Sequence, residues 1–262
     1  MKLKFFCPRW GSEHLPWEEF MIRVKAAGFD GIEYGIPGTT DDKTLDEVWD
    51  LAARHRLSLI PQHFDTYCPH FNQHMDEYAS WLERIRPYPC VKINSQTGRD
   101  IFTFEQNSIL ISLAGPGVAH EIHRGKFSFA AHVTKDYLVA DPRLRLTFDI
   151  SHWVAVAESW LEDQSDAVQL AIDRSAHIHA RVGYPEGPQV PDPRLPEWQE
   201  AVQVHLGWWS RIANRYKENA PLTITTEFGP FPYQVHNYSQ WDINLFMMQL
   251  LQRELLADND HG

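Results

Sequence analysis

The feature that most constrains the fold of this chain is a regular alternation between short apolar segments and longer stretches of helical periodicity. Each apolar segment ends in polar or turn-forming residues, as buried strands do. The candidate strands are eight in number: 3–7, 31–34, 57–61, 90–94, 118–122, 144–148, 176–180 and 222–226. Over 262 residues this gives about 33 residues per strand and helix. We therefore predict an α/β fold, a single (β/α)8 TIM barrel that forms one domain over residues 1–262.

The helices between these strands are predicted with unequal strength. Residues 16–27 begin with a proline and end before a glycine, which suits a helix between start and stop signals. Residues 196–217 carry large side chains on one face and are predicted to be amphipathic; these are Trp198, Val202, His205, Trp209 and Ile212. The prediction is weakest for 102–113, because the apolar run 109–113 suits a strand equally well.

Residues 183–196 differ from the rest of the chain, because they hold five prolines. Proline at this density is incompatible with a helix, so we predict an ordered, extended loop. The loop follows a predicted strand, and loops in that position line the active face of a barrel.

Composition excludes several classes of protein. Hydrophobic residues make up 43% of the chain, enough for a sizeable core, which excludes a disordered chain. The formal net charge is −11 and no basic stripe is present, so we expect no nucleic-acid partner. No apolar run approaches the roughly 20 residues that a membrane span requires, so we expect no membrane partner.

Three cysteines, Cys7, Cys68 and Cys90, are odd in number and widely spaced, which argues against a disulfide framework or a zinc knuckle. The apolar stretch near the N-terminus ends after about four residues, too few for a signal peptide. We therefore expect a cytoplasmic protein.

Potential ligands gather where the predicted strands end. Glu121 lies 28 residues before Asp149, Asp149 lies 30 residues before His179, and Glu227 follows after a further 48 residues. The longer last interval is absorbed by the loop 183–196. Side chains in equal phase on successive units meet at one rim of a barrel, so we expect these four to converge.

Carboxylates and an imidazole together suit one divalent metal ion, Mn²⁺, Mg²⁺, Co²⁺ or Zn²⁺, with coordination positions left open for a substrate. Three carboxylates packed together repel one another, and a bound cation removes that repulsion. The cation also makes Glu121 and Glu227 plausible catalytic proton carriers on opposite faces of a chelated sugar.

At these positions the chain resembles the sugar phosphate isomerase/epimerase-like family of the xylose-isomerase-like TIM-barrel superfamily. The resemblance covers nearly the whole length. It is carried by Glu121-Ile122-His123-Arg124-Gly125, Asp149-Ile150-Ser151-His152-Trp153, His177-Ile178-His179-Ala180-Arg181-Val182-Gly183 and Glu227-Phe228-Gly229-Pro230. In the first motif the family usually has Glu-Thr-His-Arg-Gly, so isoleucine here replaces threonine.

Residue by residue, the resemblance implies that the metal ligands are Glu121, Asp149, His179 and Glu227. It implies that the substrate-binding residues are His152, Arg181 and His63. It also implies that a chelated hydroxy-carbonyl compound loses a proton to one glutamate, passes through a metal-stabilised cis-enediolate and regains a proton elsewhere. The sequence leaves open which glutamate is the base.

Other polar residues near these motifs receive structural interpretations. We expect His177 to face the helices while His179 faces the barrel mouth. His123 is equally compatible with a substrate contact and with a role behind the ligands. Glu33 is expected to be a polar packing residue.

Several functions remain open at this stage. The first is a metal-dependent isomerase or epimerase of a small sugar or keto-sugar, with or without a phosphate, acting in carbohydrate metabolism. The second is a metal-dependent dehydratase or lyase acting on a keto-polyol, which needs the same enolate. A zinc-dependent apurinic endonuclease ranks third, because it needs further histidine and aspartate ligands and because the net charge of −11 opposes DNA binding. A non-catalytic sugar-binding protein is a further alternative, and a homodimer is compatible with the composition.

Overall fold

In the computed structural model, which describes residues 2–216, 221–234 and 238–257, eight parallel strands close into a barrel. Each strand pairs with the next along the chain, and the last pairs with the first. The strands are β1 (Leu3–Pro8), β2 (Gly31–Gly35), β3 (Ser58–His63), β4 (Ile93–Ser95), β5 (Val118–Glu121), β6 (Leu146–Phe148), β7 (Ser175–His179) and β8 (Leu222–Thr225). The predicted (β/α)8 barrel is therefore confirmed, and every predicted strand overlaps an observed one.

Helices surround the barrel. In the described part of the chain they are α1 (Trp17–Ala26), α2 (Asp42–His55), α3 (Phe71–Ile85), α4 (Phe104–Ala114), α5 (Ala131–Ala140), α6 (Ser151–Ala157), α7 (Ser165–Arg174), α8 (Gln199–Ala213) and α9 (Gln240–Ala257). The helix predicted over 16–27 is confirmed as α1. The helix predicted over 196–217 is a short 3-10 turn (Pro196–Trp198) followed by α8, and residue 217 lies outside the described residues.

Helix α4 resolves the weakest prediction, because the run 109–113 is helical and the strand alternative is wrong. Its start is defined by a capping box, in which the Thr103 side chain accepts a hydrogen bond from the Gln106 backbone N–H and the Gln106 side chain accepts one from the Thr103 backbone N–H. The apolar run does not mark a buried strand, because only part of it is buried. Leu110 and Ile111 are buried, whereas Ile109 is 48% exposed.

The hydrophobic core lies mainly between the outside of the barrel and the helices. Phe20, Met21 and Val24 on α1 are fully buried, as are Trp209 and Ile212 on α8. Each such side chain contributes about 1.5–3 kcal/mol of burial free energy, which fixes the helices on the barrel.

The interior of the barrel is polar, whereas barrels of this class usually fill it with branched apolar side chains. Glu33 on β2 lies 3.0 Å from Nε2 of His179 and 3.1 Å from Nε2 of His177, both on β7, and accepts a 2.8 Å hydrogen bond from Nδ2 of Asn94 on β4. These contacts join strands that are not neighbours, so they cross the inside of the barrel.

His177 consequently faces the barrel interior, and the expectation that it faces the helices is wrong. Residues two apart on a strand point to the same side of the sheet, so His177 and His179 share a face. His177 also contacts the Thr223 side chain at 2.7 Å through Nδ1. Among the described residues, no helix is long and apolar enough to cross a membrane.

The capping box gives a test of why α4 forms. Replacing Thr103 with Ala removes one hydrogen bond to the first turn, and we expect the free energy of unfolding to fall by about 1 kcal/mol. Urea denaturation measures this. The half-buried Ser108, inside the same helix, is the control. Its hydroxyl donates only to the Phe104 carbonyl within the helix, so Ser108→Ala should change stability by less than about 0.5 kcal/mol. Equal losses in the two variants would contradict the role of the cap.

Candidate active site

Four side chains converge where strands β5 to β8 end. Glu121 is the last residue of β5 and His179 the last of β7, while Asp149 follows β6 by one residue and Glu227 follows β8 by two. One ligand atom from each lies within 4.8 Å of the others, and all four residues are buried. The structure therefore brings together the four residues that the sequence placed in equal phase.

Two atoms of this cluster lack the partners that buried polar atoms require. Nδ1 of His179 lies 2.6 Å from Oε2 of Glu227, yet neither atom has a hydrogen-bond partner among the described residues. A carboxylate oxygen and an imidazole nitrogen that face each other in this way fit a shared cation. With Glu121 and Asp149 they form a donor set of oxygen and nitrogen that suits a divalent ion.

Glu121 is held by three side-chain amides. Gln62 and Asn94 each donate a 2.9 Å hydrogen bond to its Oε2, and Gln96 donates a 3.0 Å bond to its Oε1. These amides come from β3, β4 and the residue after β4. They fix the carboxylate in one orientation and stabilise its negative charge.

Glu33 orients His179 from below. Its two oxygens lie 3.0 and 3.1 Å from Nε2 of His179, so that nitrogen carries the proton and donates to Glu33. When the ring is neutral, as a metal ligand has to be, its lone pair lies on Nδ1, the atom that faces Glu227 and Glu121. A carboxylate behind an imidazole is the usual way in which proteins fix the tautomer of a metal-binding histidine.

Asp149 belongs to a second buried group. It accepts hydrogen bonds from Ser151 and from Nη2 of Arg181, and Arg181 also donates a 2.6 Å bond to Nε2 of His152. His152 is fully buried behind this guanidinium, whereas Arg181 lines the open cavity. Of the expected substrate contacts, Arg181 therefore reaches the cavity, and His152 supports it.

His63 lies elsewhere, so the expected substrate contact does not fit its position. Its ring packs on Tyr78 and Trp81 at centroid distances of 4.6 and 5.0 Å, and its Nε2 contacts the Thr66 hydroxyl at 2.7 Å. Alternation along β3 explains the difference, because Gln62 faces the barrel and His63 therefore faces helix α3. The neighbouring Gln62 occupies the cavity wall.

Burial and mutual charge shift the pKa values of the cluster. Burial, together with the nearby Glu227 and Asp149 carboxylates, raises the pKa of Glu121 to about 7 against the opposing effect of His179. Burial also raises the pKa of Asp149. Burial lowers the pKa of His179, but the surrounding carboxylates outweigh this and raise it well above its ordinary value. Without a cation, the cluster retains protons to balance its charge.

A cavity of about 550 Å³ opens above the cluster. Glu121, Glu227, Arg181 and His123 lie on its floor and walls, beside a set of aromatic side chains: Trp10, Trp17, Tyr34, Phe64, Tyr67 and Tyr233. The pKa of His123 falls to about 3 because the ring is buried and lies near Arg181, so the ring is neutral. His123 thus belongs to the cavity wall, one of the two positions that the sequence left open for it.

Two further groups of potential ligands adjoin the cluster: Glu33 with His177 and His179, and Glu121 with His123 and His152. In the first group, Nε2 of both histidines is already hydrogen bonded to Glu33. In the second, Nε2 of His152 is hydrogen bonded to Arg181. The cluster of Glu121, Asp149, His179 and Glu227 is therefore the best candidate for a metal centre.

Sequence reasoning missed the residues that support the cluster. Asn94 and Gln96 appear in the sequence directly after an apolar run, but nothing in their spacing says that they hold Glu121. Glu33 was expected to be a packing residue, and it does hold two histidines inside the barrel. Its position as an acidic residue within a buried strand was the available signal.

Solved structures share the fold of this chain, although no protein-family model and no curated protein sequence matches it. One match is a Bacillus anthracis protein described as the probable 3-DHS dehydratase AsbF, involved in petrobactin synthesis. Its TM-score is 0.62 and its identity 15%, and the match covers 96% of this chain and 99% of that one. Endonuclease IV from Thermus thermophilus matches with a TM-score of 0.60 and 12% identity, over 97% and 98% of the two chains. An AP endonuclease of family 2 from Brucella melitensis matches with a TM-score of 0.57 and 13% identity, over 96% and 98%.

The three matches each extend over at least 96% of both chains. The chain therefore shares its fold with these proteins, and its closed barrel of eight parallel strands confirms the (β/α)8 fold that the resemblance implies. The names of the three matched proteins describe a dehydratase and two endonucleases. At identities of 12 to 15% the match establishes the fold, and the chemistry has to be argued from the site.

The raised pKa of Glu121 predicts how stability depends on pH in protein treated with a chelator. The folded state holds the proton more tightly than the unfolded state, so the contribution of Glu121 to stability is lost as pH rises from 4.5 to about 7. In Glu121→Gln this loss is absent. The stability of the variant relative to the parent should therefore increase across that range by at most about 1.4 kcal/mol per pH unit.

Urea denaturation of both proteins at pH 5 and pH 8 measures the difference. A constant offset between parent and variant at the two pH values would show that Glu121 is not a carboxyl with a raised pKa.

Proposed function

We propose that this protein is a metal-dependent isomerase or epimerase of a small sugar or keto-sugar, which moves a proton through a cis-enediolate. One observation carries the proposal: Glu121 and Glu227 both line an open cavity and both belong to the buried cluster with Asp149 and His179. Two carboxylates that reach the same bound substrate from different strands are what a 1,1- or 1,2-proton transfer requires.

Four residues would hold the metal ion: Glu121, Asp149, His179 and Glu227. A divalent ion bound there supplies positive charge beside the oxygens of the substrate, where negative charge develops during proton removal. Manganese is the ion we expect first, since carboxylate-rich sites with one imidazole suit it.

The two glutamates have different surroundings, so we expect them to play different roles in proton transfer. Glu121 is fixed by the amides of Gln62, Asn94 and Gln96, so it presents its carboxylate in a constant direction. Within the described part of the chain, Glu227 has an oxygen without a hydrogen-bond partner, and it lies on the loop after β8, 2.6 Å from the Nδ1 atom of His179 that Glu121 faces at 3.9 Å. One takes the proton from the substrate carbon and the other returns a proton at the second position, and the product depends on where the proton returns.

Arg181 and His152 would recognise an oxygen of the substrate. The guanidinium of Arg181 is fully buried on one side, paired with Asp149, and borders the cavity on the other. A substrate hydroxyl or carboxylate next to it would receive charge-assisted hydrogen bonds. His152 holds the guanidinium in place through Nε2.

The cavity suits a small molecule. Its volume of about 550 Å³ lies within the range of roughly 300–1,000 Å³ that is typical of small-molecule sites. Aromatic rings such as Trp10, Trp17 and Tyr233 offer apolar surface to the C–H faces of a sugar and reduce the access of water to the enediolate.

A dehydratase or lyase acting on a keto-polyol is the second candidate. It would begin with the same proton removal and then expel a β-hydroxyl, and this fold is shared with a protein described as a probable dehydratase. An apurinic endonuclease, which needs further histidine and aspartate ligands, is less well supported, because the side chains that surround Glu121 are the amides of Gln62, Asn94 and Gln96. The net charge of −11 also opposes DNA binding.

The proposal predicts proton exchange between substrate and solvent. Manganese-loaded protein in deuterated water should introduce deuterium next to the carbonyl of at least one member of a panel of keto-sugars, keto-polyols and their phosphates, observed by NMR and mass spectrometry. Glu121→Gln and Glu227→Gln should each lower the exchange rate by at least about 100-fold, because each removes a proton carrier.

Asp192→Asn is the matched control, since Asp192 is a buried carboxylate paired with Arg194 outside the cluster. Its exchange rate should equal that of the parent. A product lighter by one water identifies the lyase in place of the isomerase. Exchange that survives in both glutamine variants would overturn proton transfer by these residues.

A further inference from the structure

Glu227 adopts a backbone conformation that few side-chain-bearing residues adopt. Its φ is +35°, in the left-handed region, at the point where the chain leaves β8. A residue other than glycine stays there only when its surroundings determine its conformation from several sides. The peptide groups that follow Glu227 show which contacts do so.

Asn244 on α9 holds the first of these peptide groups. Its Oδ1 accepts a 2.9 Å hydrogen bond from the Phe228 N–H, and its Nδ2 donates a 3.1 Å bond to the Phe228 carbonyl. The Phe228 N–H belongs to the peptide group that joins Glu227 to Phe228. Asn244 therefore fixes the rotation of that peptide group and with it the direction in which the Glu227 side chain leaves the backbone.

Gln189, in the loop after β7, holds the next residue in the same way. Its Oε1 accepts a 2.8 Å hydrogen bond from the Gly229 N–H, and its Nε2 donates a 3.1 Å bond to the Gly229 carbonyl. Both amides are nearly inaccessible to solvent, with Asn244 4% and Gln189 6% exposed. The chain beyond β8 is thus paired by side chains on both sides, much as a strand is paired in a sheet.

The loop after β1 closes this arrangement. Gln240 donates hydrogen bonds to the carbonyls of Phe228 at 2.7 Å and Trp10 at 2.8 Å. The ring of Trp10 lies so close to Gly229 that a Cβ added there would be 2.1 Å from it. A side chain at residue 229 would therefore have to displace the Trp10 ring.

We propose that Asn244 and Gln189 are positioning residues that hold the strained Glu227 so that its carboxylate meets Nδ1 of His179. Neither amide is shown in contact with the carboxylate, so each acts through the backbone. Together, Asn244 and Gln189 form a clamp on the backbone after Glu227. Misplacement of a reacting group by about 1 Å is enough to impair binding or catalysis, so this clamp should affect both. Its link to a metal ion rests on the proposed function, whereas the placement of Glu227 does not.

The test compares Asn244→Leu and Gln189→Leu with a control of the same design. Asn107 is also buried and also hydrogen bonds to both backbone groups of one residue. Its Oδ1 accepts from the Arg99 N–H at 3.2 Å, and its Nδ2 donates to the Arg99 carbonyl at 2.9 Å. Asn107→Leu therefore loses an equivalent pair of hydrogen bonds to the loop after β4, together with 3.3 Å contacts from Nδ2 to the Phe102 carbonyl and the Tyr137 hydroxyl. Titration calorimetry with Mn²⁺ measures affinity, and thermal unfolding measures the general loss of stability.

We expect each clamp variant to bind Mn²⁺ at least about 10-fold more weakly than the parent, because partners outside the first set of ligands typically influence affinity by 10- to 100-fold. Asn107→Leu should lower Tm comparably and leave Mn²⁺ affinity within about twofold. Unchanged affinity in both clamp variants, or an equal loss in the control, would overturn the proposal. Should Asn244→Leu fail to fold, Gln189→Leu alone decides.

Crystal structures of the parent and of the same variants give a readout that needs no metal. The proposal predicts that Glu227 leaves the left-handed region, or that its carboxylate moves away from His179, in a clamp variant but not in Asn107→Leu. An unmoved Glu227 would contradict it. A parent protein that binds no Mn²⁺ but shows this displacement would refute the proposed metal function and leave the positioning role intact.

Discussion

Three carboxylates and an imidazole, brought within 4.8 Å of one another in a buried position, set the physical problem that the rest of this structure solves. Closing eight parallel strands into a barrel brings the carboxyl ends of β5 to β8 to one rim, where the side chains at or just after those ends lie close together. Negative groups crowded in this way are stable only if they take up protons or share a cation. The raised pKa of Glu121 and the facing atoms of His179 and Glu227 are consequences of that single constraint.

The supporting residues make sense in the same terms. Glu33 and His177 fill the barrel below the cluster with hydrogen bonds in place of apolar packing, and Glu33 fixes the ring of His179. Amides of Gln62, Asn94 and Gln96 fix Glu121, and Asn94 also donates to Glu33. A buried polar network whose members are hydrogen bonded is rigid, so these contacts give the cluster a fixed geometry.

Periodicity made the barrel and the four clustered residues predictable, because each of those residues lies at the end of a strand and in phase with the others. The direction of a side chain on a strand could be predicted from the rule that successive residues point to opposite faces of the sheet. His177 shares the face of His179, two residues away, and His63 points away from the cavity because Gln62 points into it. The clamp formed by Asn244 and Gln189 could not be predicted from the sequence. Asn244 is 16 positions from Phe228 and Gln189 is 40 positions from Gly229, and the sequence does not determine the paths of the loops between them.

The fold alone accommodates a dehydratase and endonucleases, so the account depends on whether the cluster binds one ion at the rim of the barrel. Anomalous diffraction at the manganese edge, from crystals grown with Mn²⁺, tests this most directly. We predict one strong peak bounded by the carboxylates of Glu121, Asp149 and Glu227 and by Nδ1 of His179. Diffraction data of good quality with no peak between these four side chains, or with the peak at another site, would contradict the central claim.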